Sequence, residues 1–191
     1  LVSVQWKQKI KSGSSLRLVS VARIAPEKNI KYALQVLKDV KAKVRFDLYG
    51  PVYDHNYWNE CKEVISRLPK NIKVVFMESI DTKLVSEAIS NYDFLFLPTQ
   101  GENFGHVILQ SMSAGIPIII SDKTMWRNLE SKNAGWDVSL ADKNGFVSVI
   151  ERCSKISQPE YDLLSKGAFD FAQSFINNKE SLEQNKQLFV K

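Results

Sequence analysis

Apolar positions in this chain fall into short unbroken runs, separated by longer stretches with helical spacing. The clearest unit lies between Asp93 and Ile120. Phe94 to Leu97 (FLFL) is halted by Pro98, the pattern of a strand covered on both faces. A polar loop from Thr99 to Gly105 carries Glu102. A helix follows, with Gly105 and His106 at its mouth and Gly115 and Pro117 at its end. Pro117 to Ile120 (PIII) is the next buried strand. A strand–loop–helix–strand unit of this kind is a right-handed parallel crossover, and its loop lies where such sheets bind ligands.

The alternation extends to both ends. Leu16 to Ala22 (LRLVSVA) predicts a strand. Ala25, Pro26 and Glu27 then open a helix expected to run to about Val40, with proline and an acid in its first turn. Its apolar positions Ile30, Ala33, Leu34 and Leu37 share a helical face. Val44 to Tyr49 is the second strand, closed by Gly50 and Pro51, and Asp54 caps a helix to about Leu68. Ile72 to Phe76 is the third strand, and Asp81 caps a short helix over 82–90. Beyond Ile120 come a loop with at most one helical turn, a short strand within 135–140, and a helix from Asp142 to about Cys153. Ser157 to Glu160 forms a capping box for a helix over 159–175, and Asn177 and Asn178 precede a final amphipathic helix over 179–190. About six strands alternate with helices and there is no hairpin signal. The class is α/β, a doubly wound, mostly parallel sheet with helices on both faces.

Composition narrows this little. The 191 residues suffice for one domain with a real core, and 44% hydrophobic with 25% charged residues is an ordinary globular balance. The net charge of +5 is spread along the chain, which argues against nucleic acid and leaves a solvated face or a phosphate ligand. Cys61 and Cys153 have no zinc spacing with His55 or His106 and read as free thiols of a reducing compartment. No apolar run approaches the roughly 18 residues of a membrane span, and a cytoplasmic location is expected. Residues 1–15 read as a linker, with SGSS at 12–15 as a flexible joint, ahead of a domain over 16–176.

In sheets of this class the ligand sits beyond the carboxyl ends of the strands. There the chain offers Arg23 and Lys28 after the first strand, Gly50 after the second, and Met77 to Ile80 after the third. The fourth is followed by Glu102, Asn103 and Gly105, the fifth by Ser121, Asp122 and Lys123. Two cations, a glycine turn and a helix mouth on one rim suit a phosphate or diphosphate. Each also has a plain alternative: solvated cations, an acid serving the helix dipole at Glu102, a polar first-turn residue at His106, a closed turn at Gly50. Neither GxGxxG nor GxxxxGK[ST] is present. The residues alone reach an α/β domain with a phosphate-binding rim.

Four segments in order resemble the C-terminal, donor-binding domain of the group 1 (family 4, retaining) glycosyltransferases of GT-B fold. They are VARIAPEKN (21–29), DLYGP (47–51), NYDFLFLPTQGENFGHVILQSMSAGIPIIISD (91–122) and NAGWDVSL (133–140). The resemblance implies that Arg23 and Lys28 bind the donor diphosphate and stabilise it as it leaves, with Glu102 on the donor sugar. It places Gly50, Ile80, Asn103, Phe104, Gly105, His106, Val107 and Gln110 around the nucleotide sugar, with backbone N–H groups from Phe104 to Val107 holding sugar and phosphate. Position 110 lies roughly 7–8 Å down the helix from Gly105 at 1.5 Å per residue, within reach of a ribose. The family has a second glutamate there; this chain has Gln110, which predicts weaker ribose binding.

No metal or cofactor is implied, the nucleoside diphosphate sugar being the donor substrate. The implied partners are an N-terminal acceptor domain ahead of residue 1 and a saccharide or lipid-linked acceptor, with peripheral membrane contact in the full protein. Residues 177–191 would return toward that N-terminal domain, and the chain by itself would bind donor without transferring it. The reading is a sugar transfer serving cell-surface polysaccharide assembly. A non-catalytic nucleotide-sugar module weakened at Gln110, a sugar-nucleotide epimerase and a basic RNA- or membrane-surface protein stand as alternatives.

Overall fold

In the computed structural model, which describes residues 5–11 and 13–178, six strands form one sheet. They are β1 (Leu16–Val21), β2 (Val44–Tyr49), β3 (Ile72–Phe76), β4 (Phe94–Leu97), β5 (Ile118–Ser121) and β6 (Gly135–Val138). Every pairing is parallel and the order is β3-β2-β1-β4-β5-β6. The chain winds outward from β1 to β3, returns to the centre at β4, and winds out the other way. The connections therefore diverge between β1 and β4, the crevice where doubly wound sheets take ligands.

The helices are α1 (Ile30–Leu37), α2 (His55–Ser66), α3 (Val85–Ile89), α4 (His106–Ser113), α5 (Lys143–Lys155) and α6 (Gln158–Asn177). Side chains alternate across the central strands, so each run of apolar residues serves two cores. Phe94 and Phe96 join Leu18, Phe46 and Ile119 under α1, α2 and α5. Leu95 and Leu97 join Val19, Ile118 and Ile120 under α3, α4 and α6. All four residues of β4 and of β5 are buried, which is why these segments read as unbroken apolar runs. No described helix is long and apolar enough to cross a membrane.

One expected element differs in a way that bears on the site. The helix expected from Pro26 to about Val40 is split into a 3₁₀ turn, Pro26–Lys28, and α1, with Asn29 between them at φ 60°. Asparagine tolerates this left-handed geometry better than most residues. Its side chain also donates to Pro98 O at 2.9 Å, a contact with the end of β4 that helical spacing does not register. The short helix expected over 82–90 is likewise a 3₁₀ turn, Thr82–Leu84, running into α3.

Residues 5–11 are docked on α6 and its surroundings. Trp6 Nε1 donates to Ser165 Oγ at 2.9 Å, and Lys11 N donates to Gln158 Oε1 at 2.9 Å, while Gln158 Nε2 donates to Lys9 O at 2.6 Å. The amphipathic helix expected over 179–190 lies outside the described residues.

The capping box at the start of α6 forms as expected: Ser157 Oγ accepts from Glu160 N, and Glu160 accepts from Ser157 N. Ser157→Ala is expected to cost about 1 kcal/mol, read as a lowered urea midpoint. Cys61 and Cys153 are completely buried in α2 and α5. Burial pushes the Cys61 thiol up to about 11 and the Cys153 thiol further. Neither should react with a disulfide reagent such as DTNB at neutral pH until denaturant is added, when both should titrate.

Candidate functional site

The exits of β1, β4 and β5 are tied into one rim by hydrogen bonds. Glu27 O, in the turn after β1, accepts from Gln100 N and from Thr99 Oγ1, each at 2.9 Å. Ser121 Oγ, at the end of β5, donates to Thr99 O at 2.5 Å, and Glu102 N donates to Lys123 O at 3.2 Å. Thr99 and Ser121 are both fully buried, so the bond between them is shielded from water. With the Asn29 bond to Pro98, this lacing fixes where Lys28 and Glu102 stand.

Lys28 and Glu102 meet across the β1–β4 crevice as an ion pair between Nζ and Oε1. Their side chains are only 15% and 16% exposed, so both charges are largely withdrawn from bulk water. Residues 74 positions apart are thus brought together at the switch point. The sequence marks both as site residues but does not reveal that they touch.

The second strand's exit is pressed against the first. Gly50 has φ 140°, donates its N–H to Glu78 O at 2.8 Å, and sits so close to β1 that a Cβ would lie 2.0 Å from Ala22 O. Glycine is required there by space as well as by backbone angle. Arg23 follows Ala22 at once, so this close approach also sets where Arg23 leaves the sheet.

α4 begins at Gly105, itself at φ 73° and without a side-chain cap. The Gly105 carbonyl accepts from Ile108 and Leu109, whereas the N–H groups of Gly105, His106 and Val107 have no acceptor among the described residues. These donors, with the positive end of the helix dipole, make the α4 N-terminus a place for anionic or hydroxyl oxygens. Phe104 is anchored just ahead of it: its carbonyl accepts from Trp126 Nε1 at 2.7 Å, and its ring lies 5.8 Å from that of Phe175.

The other expected positions divide. Asn103 and His106 are exposed beside the helix mouth, the His106 ring 4.7 Å from that of Phe104. Val107 and Ile80 are partly buried against the core under α3, α4 and α6, which gives them a packing role in the rim's support. Gln110 is partly buried in the second turn of α4, and its side chain makes no hydrogen bond among the described residues. Asn29, Thr99 and Trp126 carry no sequence mark as rim residues, and Ser121, which does stand on the rim by following the fifth strand, gives no sign in the sequence of its bond to Thr99. A hydroxyl, an amide or an indole inside a loop or strand carries no periodic signal, and their roles arise from partners remote in sequence. Among the described residues, no group of three or more His, Cys, Asp or Glu is placed to hold a metal ion.

A doubly wound parallel sheet with cations, an acid and an open helix N-terminus at its switch point is an α/β domain whose rim suits a phosphate-bearing ligand. Residues 4–157 match the family described as glycosyl transferases group 1, and the chain belongs to that family. Among curated proteins it is 26% identical over 102 residues to the sulfoquinovosyl transferase of Arabidopsis thaliana, an alignment covering 53% of this chain and 18% of that one. Two solved structures share the fold. Anabaena HepE, in complex with UDP and glucose, gives a TM-score of 0.76 at 17% identity, covering 92% of this chain and 48% of that one. Sucrose-phosphate synthase from Thermosynechococcus elongatus gives 0.75 at 19%, covering 93% and 45%. The chain thus spans less than half of each of these proteins.

Proposed function

We propose that this chain is the donor-binding half of a retaining glycosyltransferase that moves a hexose-type unit from a nucleoside diphosphate sugar. The observation that carries the reading is the Lys28–Glu102 contact at the β1–β4 switch point, beside the open N-terminus of α4. A diphosphate lying across that N-terminus replaces Glu102 as the partner of Lys28. Arg23 supplies a second cation, and Glu102 is released toward the sugar. As the glycosidic bond breaks, charge grows on the departing diphosphate, where fixed cations and backbone N–H groups lower the barrier most. The acceptor, a saccharide or lipid-linked glycan, belongs on an N-terminal half that completes the cleft. Cell-surface polysaccharide assembly is the setting proposed for the full protein, on the cytoplasmic side and peripheral to a membrane.

Titration calorimetry with UDP, GDP and ADP and their sugars tests the donor reading. UDP comes first, because HepE was solved with it. One nucleotide should bind, and Arg23→Ala and Lys28→Ala should each weaken it; silence from all three overturns the reading. Transfer itself is to be assayed on the longer gene product.

A second reading, a nucleotide-sugar module without transferase activity, is favoured by Gln110, where an amide replaces the family's carboxylate. Gln110→Glu is expected to tighten nucleotide binding several-fold, because a carboxylate can accept from both ribose hydroxyls. Equal affinities would remove position 110 from the ribose site.

A further inference from the structure

Arg23 leaves β1 with its side chain 47% exposed, yet two groups hold it in place. Its Nε donates to Glu27 Oε1 at 2.7 Å, and Nη2 approaches the same oxygen at 2.6 Å. The ring of Tyr53, from the loop after β2, lies 5.4 Å from the guanidinium carbon. A guanidinium carries five N–H donors in a rigid fork. Glu27 occupies the edge formed by Nε and one Nη2 hydrogen. Nη1 and the outer Nη2 hydrogen remain, and this end fork matches two oxygens of a phosphate. Among the described residues Arg23 has no other partner.

The backbones of both flanking residues are anchored independently of Arg23. The Glu27 carbonyl is bound by Gln100 and Thr99 from the β4 exit. The Tyr53 N–H donates to Ile24 O at 3.1 Å, while Ile24 N donates to Pro51 O at 2.8 Å, tying the β1 and β2 exits together. A hydrogen bond from its own backbone N–H, aided by Arg23, holds the Glu27 carboxyl below the usual range, so it is charged at neutral pH.

We propose that Glu27 and Tyr53 are positioning residues that clamp the Arg23 guanidinium with its end fork presented to a donor phosphate, an inference that rests on the donor-site reading above. A carboxylate beside an anion site also has an opposing effect, because it repels the ligand and competes for the cation. The edge geometry decides for clamping. Glu27 leaves the phosphate-matching edge open, and a long side chain held in place beforehand loses less freedom when the ligand arrives. Proline and a helix dipole explain an acid at position 27 from sequence alone; its bond to Arg23 gives that acid a second task.

The test is calorimetry of UDP, GDP and ADP and of the matching monophosphates on the purified chain, with Glu27→Ala, Glu27→Gln, Tyr53→Ala, Tyr53→Phe and Arg23→Ala. Glu27→Ala keeps the carbonyl that binds Gln100 and Thr99, so the rim should stay folded, which an unchanged urea midpoint would verify. It should weaken the nucleoside diphosphate that binds by about three- to tenfold. Glu27→Gln, whose amide oxygen still accepts from Nε, should recover most of that loss. Tyr53→Phe should bind as wild type, and Tyr53→Ala about two- to fourfold more weakly, the loss of an exposed cation–π contact. In the Arg23→Ala background, Glu27→Ala should cause no further loss, and relief of the carboxylate's repulsion should leave binding there unchanged or slightly tighter. Equal or tighter diphosphate binding by Glu27→Ala, or the same loss in both backgrounds, overturns the clamp. If no nucleotide binds, or if Arg23→Ala binds as wild type, the donor-site reading falls and the clamp with it. If Arg23→Ala weakens binding while Glu27→Ala does not, only the clamp falls.

Discussion

Lys28→Ala is expected to lower the affinity for the nucleoside diphosphate by about 10- to 100-fold. The variant loses a charge-assisted contact to the diphosphate, worth about 1.5–3 kcal/mol where both groups are shielded, and each 1.4 kcal/mol is about tenfold. It also leaves the Glu102 carboxylate, only 16% exposed, without its partner and facing an incoming anion. Glu102→Gln should behave differently. It frees Lys28 from its resident acid, so the bare nucleotide should bind at least as tightly as to wild type, while the gain in affinity contributed by the sugar should shrink. Calorimetry with the nucleotide and its sugar on both variants separates these effects. If Lys28→Ala binds as wild type, Lys28 is not a diphosphate contact and the Lys28–Glu102 pair is a structural tie.

Gly50→Ala is expected to destabilise the fold by about 3 kcal/mol, at the upper end of ordinary point substitutions. The φ of 140° is closed to an alanine, and its Cβ would lie 2.0 Å from Ala22 O and 2.5 Å from Ala22 C. Both are backbone atoms of the chain leaving β1, which cannot yield as the tip of a flexible side chain would. The relief has to come from shifting the β1 exit, so nucleotide affinity should fall along with the urea midpoint. Gly101→Ala is the control: an added Cβ there meets nothing within 4 Å. Its effect should stay within about 0.5 kcal/mol. A Gly50→Ala variant as stable as wild type would show that the β1 and β2 exits are not in rigid contact.

The strands were legible because burial on both faces leaves no room for polar residues. FLFL and III announce β4 and β5 without any knowledge of what covers them. The helix starts at Asp54, Asp142 and Ser157 were legible for a different reason: a side-chain cap is a local bond, made within three residues and written in the order of the chain. Asn29 marks the limit. Helical spacing continues through it, yet its bond to Pro98, 69 residues away, accompanies a left-handed turn that divides the helix and delivers Lys28 to the crevice.

The site shows the same division. That Arg23, Lys28, Glu102 and the Gly105 helix mouth stand on the strand-exit edge is legible in the sequence, because parallel crossovers place every strand exit on one edge and the residues after each strand can be read in turn. The parallel alternating class follows from the same pattern. What only the tertiary structure decided is who meets whom on that edge. The strand order puts the exits of β1 and β4 side by side and so pairs Lys28 with Glu102, while the β2 exit brings Tyr53 to Arg23. Strand order depends on which cores the helices close around the sheet, a global balance of packing that no local stretch of residues encodes.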